Sequence, residues 1–366
     1  MAPAVGSRGR PSTAGAVWAP ASLTDTAAPL YADSLVECEN LSMAPFYECH
    51  YRLPGPETLQ GRFAWPERMW DLFTAVERDR LIHNLVHLQP STHFSGLGSF
   101  EWIIAAITDE VNKHILHPIP SPRSVHVCDK EPTRQRVLSS FDPHHRPHHV
   151  FRDFTERLPA EDKEEFLAMV PGTHEPQITR RAKNEMARRY IFDVFKDRAD
   201  KCATSFCVLH GKQCPCFSKA PSPWHSDDSE SDNESETTLH LHGAGVICKD
   251  ASSQGSMSGD GGQFMHLQHL WCAERIARQE DIILVECTPR WEPRTVMKHM
   301  PSKYHSHSAV LTTGMLGEQN RRDRRELAMY NSERVVCCSS YVNCGERVIR
   351  LFVCYSCVIS LCLIQC

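Results

Sequence analysis

The stretch Leu241–Trp291, LHGAGVICKDASSQGSMSGDGGQFMHLQHLWCAERIARQEDIILVECTPRW, decides how the chain is read. An apolar run rich in small residues gives way to a polar loop. An amphipathic segment (GGQFMHLQHLWCAERIARQ) follows, and DIILVECTPRW is a second apolar run. The period changes from strand to helix and back, which predicts a strand–loop–helix–strand unit. In a parallel sheet, the loops after both strands open onto one rim, where ligands bind. Cys248 stands on the first of those loops and Glu286 at the carboxyl end of the second strand. A thiol and a carboxylate facing one pocket suit covalent catalysis assisted by acid–base chemistry.

The chain around this unit has 366 residues, 41% hydrophobic and 23% charged. That is enough for a sizeable core, in one large α/β domain with appendages or in two smaller ones. The net charge of −5 gives no overall basic excess, so nucleic-acid contact must come from local patches. Residues 1–45 carry no long apolar run and hence no secretory signal. They read as a disordered Ala/Pro/Ser tail, with a weak transit-like segment as the alternative. Of the seventeen cysteines, seven fall in the last 30 residues and the rest are scattered. Without a signal sequence, an intracellular, reducing compartment is expected rather than a disulfide framework. Leu351–Cys366 is apolar but only 16 residues long, short for a membrane span, and no membrane association is expected.

From Pro66 to Leu88 the apolar spacing predicts one amphipathic helix. STHFSGLGSF is a glycine-punctuated loop running into a helix, SVHVCDKEP a short strand, and TRQRVLSSF a helix. HHVFRDFTE is a short strand or turn carrying Asp153, and residues 175–201 form a long helix with basic and apolar faces. A Pro/Ser/Asp/Glu run over 218–238 is a solvated loop. The alternation predicts an α/β domain over 46–336 with a doubly wound, mostly parallel sheet, interrupted by a helical, cysteine-rich insertion at 155–238. The tail 337–366 differs sharply in composition.

Phe94-Ser95-Gly96-Leu97-Gly98 is a Gly-x-Gly turn at a strand-to-helix junction. It is either a plain tight turn or a loop whose backbone approaches a nucleotide-like ligand. Asp129 ends the next strand and can accept from ribose hydroxyls, with Glu131 as the second choice. Asp129 and Asp153 also read as ordinary caps. Further on, Cys207, His210 and Cys214, with Cys216 or Cys202 as the fourth, carry zinc-ligand chemistry at a spacing that is not a standard finger; unliganded cysteines are the alternative.

Ala244-Gly245-Val246-Ile247-Cys248, with Ser252 and Gly255 after it, resembles the catalytic loop of the cytosine-5 DNA methyltransferase family. Val285-Glu286-Cys287 is similar to that family's Glu-Asn-Val strand, and Phe94-Ser95-Gly96-Leu97-Gly98 to its Phe-x-Gly-x-Gly signature. Asp129 and Asp153 fall in the family's order. Gln319, Arg321 and Arg324 match its Gln-x-Arg-x-Arg segment, with Arg322 and Arg325 offering a competing register and a solvated basic run as the plain alternative. Ile247 and Cys287 depart from the family's proline and asparagine. The resemblance covers residues 90–336 and implies a Rossmann-like, S-adenosylmethionine-dependent methyltransferase fold acting on nuclear DNA. Phe94, Gly96, Gly98, Asp129 and Asp153 would hold the cofactor. Cys248 would be the nucleophile, Glu286 would bind the base, and Arg321 and Arg324 would hold the base and its phosphates. Pro215-Cys216 imitates the catalytic loop but is rejected, because no strand is expected before it and an acidic loop follows. Family members continue into a target-recognition domain that is expected to be missing here, as in a truncated or mis-spliced product, so weak activity is expected. Methylation of cytosine in RNA is the rival within enzymes; a degenerate scaffold serving as a nucleic-acid or protein interaction module is the rival outside them. Target sequence, maintenance against de novo behaviour and oligomeric state are not legible.

Overall fold

A computed structural model of the chain describes residues 65–172, 174–198, 204–216, 238–245, 261–311, 324–336 and 364–365. The expected single helix near the start is two: α1 (Trp65–Leu72) and α2 (Ala75–His87). Thr74 interrupts it. Its hydroxyl accepts from the Glu77 amide, and the Glu77 carboxylate accepts from the Thr74 amide at 2.8 Å. This reciprocal capping box satisfies two helix-start amides and makes a new N-terminus there.

Strand β1 (Leu88–His93) follows directly, then α3 (Ser99–Asn112), β2 (His126–Cys128), α4 (Pro132–Ser139) and β3 (His149–Phe151). A short 3-10 turn (Phe154–Arg157), α5 (Ala160–Ala168) and the long α6 (Gln177–Arg198) lead to the strands β4 (Thr204–Cys207) and β5 (Lys212–Pro215). The unit that opened the sequence reading is β6 (Leu239–Gly245), α7 (Met265–Arg278) and β7 (Ile282–Cys287). The short α8 (Arg294–Met297), β8 (Tyr304–Leu311), β9 (Arg324–Asn331) and the small pair β10 (Val335–Val336) and β11 (Ile364–Gln365) complete the described elements.

Nine strands form one sheet in the order β5-β4-β3-β2-β1-β6-β7-β9-β8. The centre, β3-β2-β1-β6-β7, is parallel throughout. Both margins are antiparallel: β9 runs against β7 and β8, and β4 against β3 and β5. The expected doubly wound α/β sheet is therefore present, but mixed. Part of the stretch expected as an insertion, the β4–β5 hairpin, extends this sheet rather than standing apart from it.

Both faces are covered. Ile282 and Leu284 of β7 join a core with Leu81, Leu85, Ile104 and Ile107 from α2 and α3. Their neighbours Ile283, Val285 and Cys287 point the other way, into a core with Ile191 and Phe195 of α6 and Leu270 and Trp271 of α7. A strand buried on both sides reads as an unbroken apolar run, which is why IILV carries no alternation.

The strand order places a switch point at one rim of the sheet. Along the sheet the parallel strands run 3-2-1 in one direction and then jump from β1 to β6. In open α/β sheets the crevice outside the carboxyl ends of the strands at such a switch point binds ligands. Here it lies between His93 and Ala244, which pair across β1 and β6. No described helix is long and apolar enough to cross a membrane.

Candidate functional site

The loop leaving β1 at the switch point is turned by three left-handed residues, Phe94 (φ 53°), Gly96 (φ 60°) and Gly98 (φ 81°). A side chain in that region costs roughly 1–2 kcal/mol, and Phe94 bears it at the head of the turn. Gly98 has a second reason to lack one. A Cβ there would sit 2.6 Å from the Phe141 ring and 2.9 Å from Leu138, so α4 could not pack under the loop. Gly96 is the opposite case: a Cβ would meet nothing within 4 Å, so its backbone faces open space. Such a backbone is approachable by a ligand.

Asp129 takes a different part from the one expected. It is 4% exposed, and its carboxylate accepts from the Gly96 amide at 2.9 Å, the Glu131 amide at 2.9 Å and Arg134 at 3.2 Å. It braces the glycine loop against the end of β2. Glu131, the helix cap of α4, is the exposed carboxylate at that strand end. Asp153 is half-buried and caps the turn after β3, accepting from the amide and the hydroxyl of Thr155, both at 2.9 Å.

Gly245, the last residue of β6, pairs with Glu286 of β7. The position a Gly245 Cβ would take is 3.3 Å from the Phe94 carbonyl oxygen and 3.8 Å from Glu286 Oε2. Three segments far apart in sequence thus meet within van der Waals reach at one corner of the rim. Glu286 Oε1 is ion-paired with Nε of Arg324, the first residue of β9, and its side chain is 39% exposed. Arg325, in the competing register, donates instead to the Pro289 carbonyl at 2.8 Å. Cys287, the residue after Glu286, is fully buried on the core side of β7, away from this corner.

Cys248, Arg321, Gln319, Ser252 and Gly255 lie outside the described residues. Cys248 follows Gly245 by three positions, a span of at most about 11 Å of extended chain. The described cysteines make poor alternatives, since all six are buried. Burial pushes the thiols of Cys128 and Cys272 up to about 12 and that of Cys216 up to about 11, far from the thiolate a nucleophile requires. A strand, β5, does precede Pro215-Cys216, contrary to expectation, but the sealed thiol excludes it as a reactive loop.

A second cluster lies at the other end of the sheet. His149, Cys207, His210 and Cys214 each offer one ligand atom, all within 4.8 Å of one another. Cys216 is not among them: it packs in the core beside Arg157 and Glu274, and its carbonyl accepts from Arg278. His149 of β3 stands with them where Cys216 was expected, and Cys202 lies outside the described residues. The only sequence signal for it was the histidine pair preceding Val150, which nothing local connects to a hairpin more than 50 residues on.

His93, His126 and Glu274 also gather in the buried core. Glu274, however, is already contacted by Arg157, Arg275 and Arg278, and three guanidiniums oppose a further cation. Comparison of the chain with protein-family models and with characterised proteins found no match.

Proposed function

We propose that the rim at the β1/β6 switch point is the active site of an S-adenosylmethionine-dependent cytosine-5 DNA methyltransferase. The observation that carries this reading is the convergence of Phe94, Gly245 and Glu286 at one corner. These are the segments whose sequences resemble the family's cofactor loop, nucleophile loop and base-binding strand. The sheet supports it too, since the parallel run β3-β2-β1-β6-β7 with antiparallel β9 next to β7 suits a methyltransferase of the Rossmann-like class.

The cofactor half fits in part. The open backbone at Gly96 and the exposed Glu131 suit an adenosine ligand, while Asp129 is committed to the loop. When bound, S-adenosylmethionine supplies an electrophilic sulfonium methyl. The residues of this chain do the rest. Carbon-5 of cytosine is a poor nucleophile, so Cys248 thiolate adds to C6 and moves the ring π electrons onto C5. C5 would gain the methyl as the methyl–sulfur bond breaks, and transfer of the C5 proton to solvent water then restores the C5–C6 double bond and expels the thiolate. Thiolate both adds and leaves readily near neutral pH. Glu286 hydrogen-bonds N3 and the exocyclic amine and favours the charge that builds in the ring. Arg324 anchors Oε1, and Oε2 lies on the Gly245 side of the carboxylate. The target base must leave the duplex to reach this corner, at a cost of roughly a few kcal/mol.

The experiment is methyl transfer from labelled S-adenosylmethionine to cytosine-containing duplex DNA. Glu286→Gln, which keeps the shape of the side chain, is expected to lower the rate about a hundred- to a thousand-fold. An unchanged rate would remove Glu286 from the chemistry. A second reading, a non-catalytic scaffold that binds nucleic acid or protein, draws support from Ile247 and from the closure of Asp129 by Arg134. No transfer by a folded protein that still binds DNA would favour it.

A further inference from the structure

We infer that the chain holds a structural zinc ion at the margin of the sheet, bound by His149, Cys207, His210 and Cys214. The cluster takes no part in the rim chemistry, and its chemistry is soft: two thiols and two imidazoles, the donor set of closed, tetrahedral zinc sites.

Strand geometry builds the site. Cys207 pairs with Lys212 and Ser205 with Cys214, so the two cysteines are diagonal neighbours on one face of the β4–β5 hairpin. Cys207 also pairs with Phe151 of β3, and His149, two residues earlier, shares the face of Phe151. The hairpin turn closes the fourth side. Gly211 adopts a left-handed φ of 63° and its amide donates to the Cys207 carbonyl at 2.9 Å, folding His210 back over the strands.

The distances suit a metal. Zinc bonds of about 2.3 Å to sulfur and 2.0–2.1 Å to nitrogen imply ligand–ligand edges of about 3.3–3.8 Å in a tetrahedron. Cys214 Sγ lies 3.4 Å from His210 Nδ1, and every pair of ligand atoms lies within 4.8 Å. Cys207 and Cys214 are buried, and the His149 and His210 rings meet edge to face at 5.0 Å. Nδ1 of His149 is buried and makes no hydrogen bond, a costly state for a ring nitrogen unless something satisfies it.

The position gives the ion a purpose. β3 and β4 share one backbone pair, Phe151 with Cys207, extended by the Val208 amide donating to the Val150 carbonyl at 2.8 Å. One ion bonded to β3, both hairpin strands and the turn would lock this margin to the central sheet.

Zinc content of the full chain, purified without added metal and again after zinc loading and gel filtration, tests the inference. About one zinc per chain is expected. Cys214→Ser and His149→Ala should each lose it, and Cys216→Ser should keep it. X-ray absorption at the zinc edge of the unaltered protein gives the ligand set without relying on any variant folding, and two sulfurs with two nitrogens are expected. Absence of zinc after loading overturns the site. Three sulfurs in the shell, or full zinc retained by His149→Ala, would return the fourth position to a cysteine and overturn the assignment of His149.

Discussion

Glu274→Gln is expected to destabilise the chain by about 3–5 kcal/mol, the effect of removing one partner from a buried charge network. Glu274 sits on α7 with no exposed surface, and Arg157, Arg275 (2.7 Å) and Arg278 (3.0 Å) all converge on its Oε1. Arg275 also holds Glu280, so three guanidiniums share two carboxylates. Burial pushes the Glu274 carboxyl up, but the three arginines outweigh it and hold the carboxyl below its ordinary range. Glutamine keeps the size and removes the charge, leaving the guanidiniums buried with Glu280 alone. Typical domains are stable by only 5–15 kcal/mol, so a loss of this size is a third or more of the total. The control is Glu185→Gln. Glu185 is 45% exposed and pairs with Arg188 and Arg189 on the surface of α6, where about 1 kcal/mol or less is expected. Urea denaturation compares the two midpoints; equal shifts would show that the buried network contributes no more than a surface pair.

The second large effect is loss of stability in mild acid. His93, His126 and His242 are completely buried, and burial, helped by nearby arginines, lowers all three well below the usual histidine range. The hydrogen bonds require the same. The Trp271 indole N–H, which can only donate, points at His242 Nε2 at 3.1 Å, so that nitrogen accepts and Nδ1 carries the proton toward Ser91 at 2.9 Å. A second proton on His242 would face the indole N–H. Nε2 atoms of His93 and His126 meet at 3.3 Å, where only one can be the donor. The unfolded chain binds these protons near pH 6.5 and the folded chain only well below, so stability is full above 6.5 and falls as pH drops. Each histidine contributes about 1 kcal/mol between pH 6.5 and 5.5, about 3 kcal/mol for the three. His266 and His269, held by burial at about 4 and about 3, act in the same sense. The carboxyls of Glu101, Glu280 and Asp281, which burial pushes up, act in the opposite sense and are fewer. Denaturation midpoints should fall steadily from pH 7 to 5.5. A flat or rising profile would show that these rings are not held neutral.

What the sequence revealed follows from how local each signal is. The unit β6–α7–β7 and the turn after β1 were legible because strand and helix periods, glycines and strand-end acids are written within a few residues. Gly245 and Glu286 meet as the pattern required, because parallel neighbours bring the same ends together. The Thr74–Glu77 capping box is just as local a signal, and the reading of one helix from apolar spacing alone did not use it. The margins were not legible. Nothing near Arg324 says that β9 inserts between β7 and β8, and nothing near Cys207 says that its hairpin joins β3. Strand order is fixed by packing across the sheet rather than by neighbours in the chain. His149 was missed for that reason, and so was the Gly96 amide, 33 residues away, as a partner of Asp129. Nothing in the sequence marks Arg157, Arg275 and Glu274 as buried, because burial of charge is decided by partners that sequence spacing does not show.

Covalent trapping tests the central claim most directly. Duplex DNA carrying 5-fluorocytosine, incubated with the protein and S-adenosylmethionine, cannot release the C5 substituent as a proton, so a working enzyme stays bonded through its nucleophile. A protein–DNA adduct that resists denaturation, carries the methyl label and is lost in Cys248→Ser is the predicted result. A folded protein that forms no adduct, or one whose adduct survives in Cys248→Ser, would contradict it.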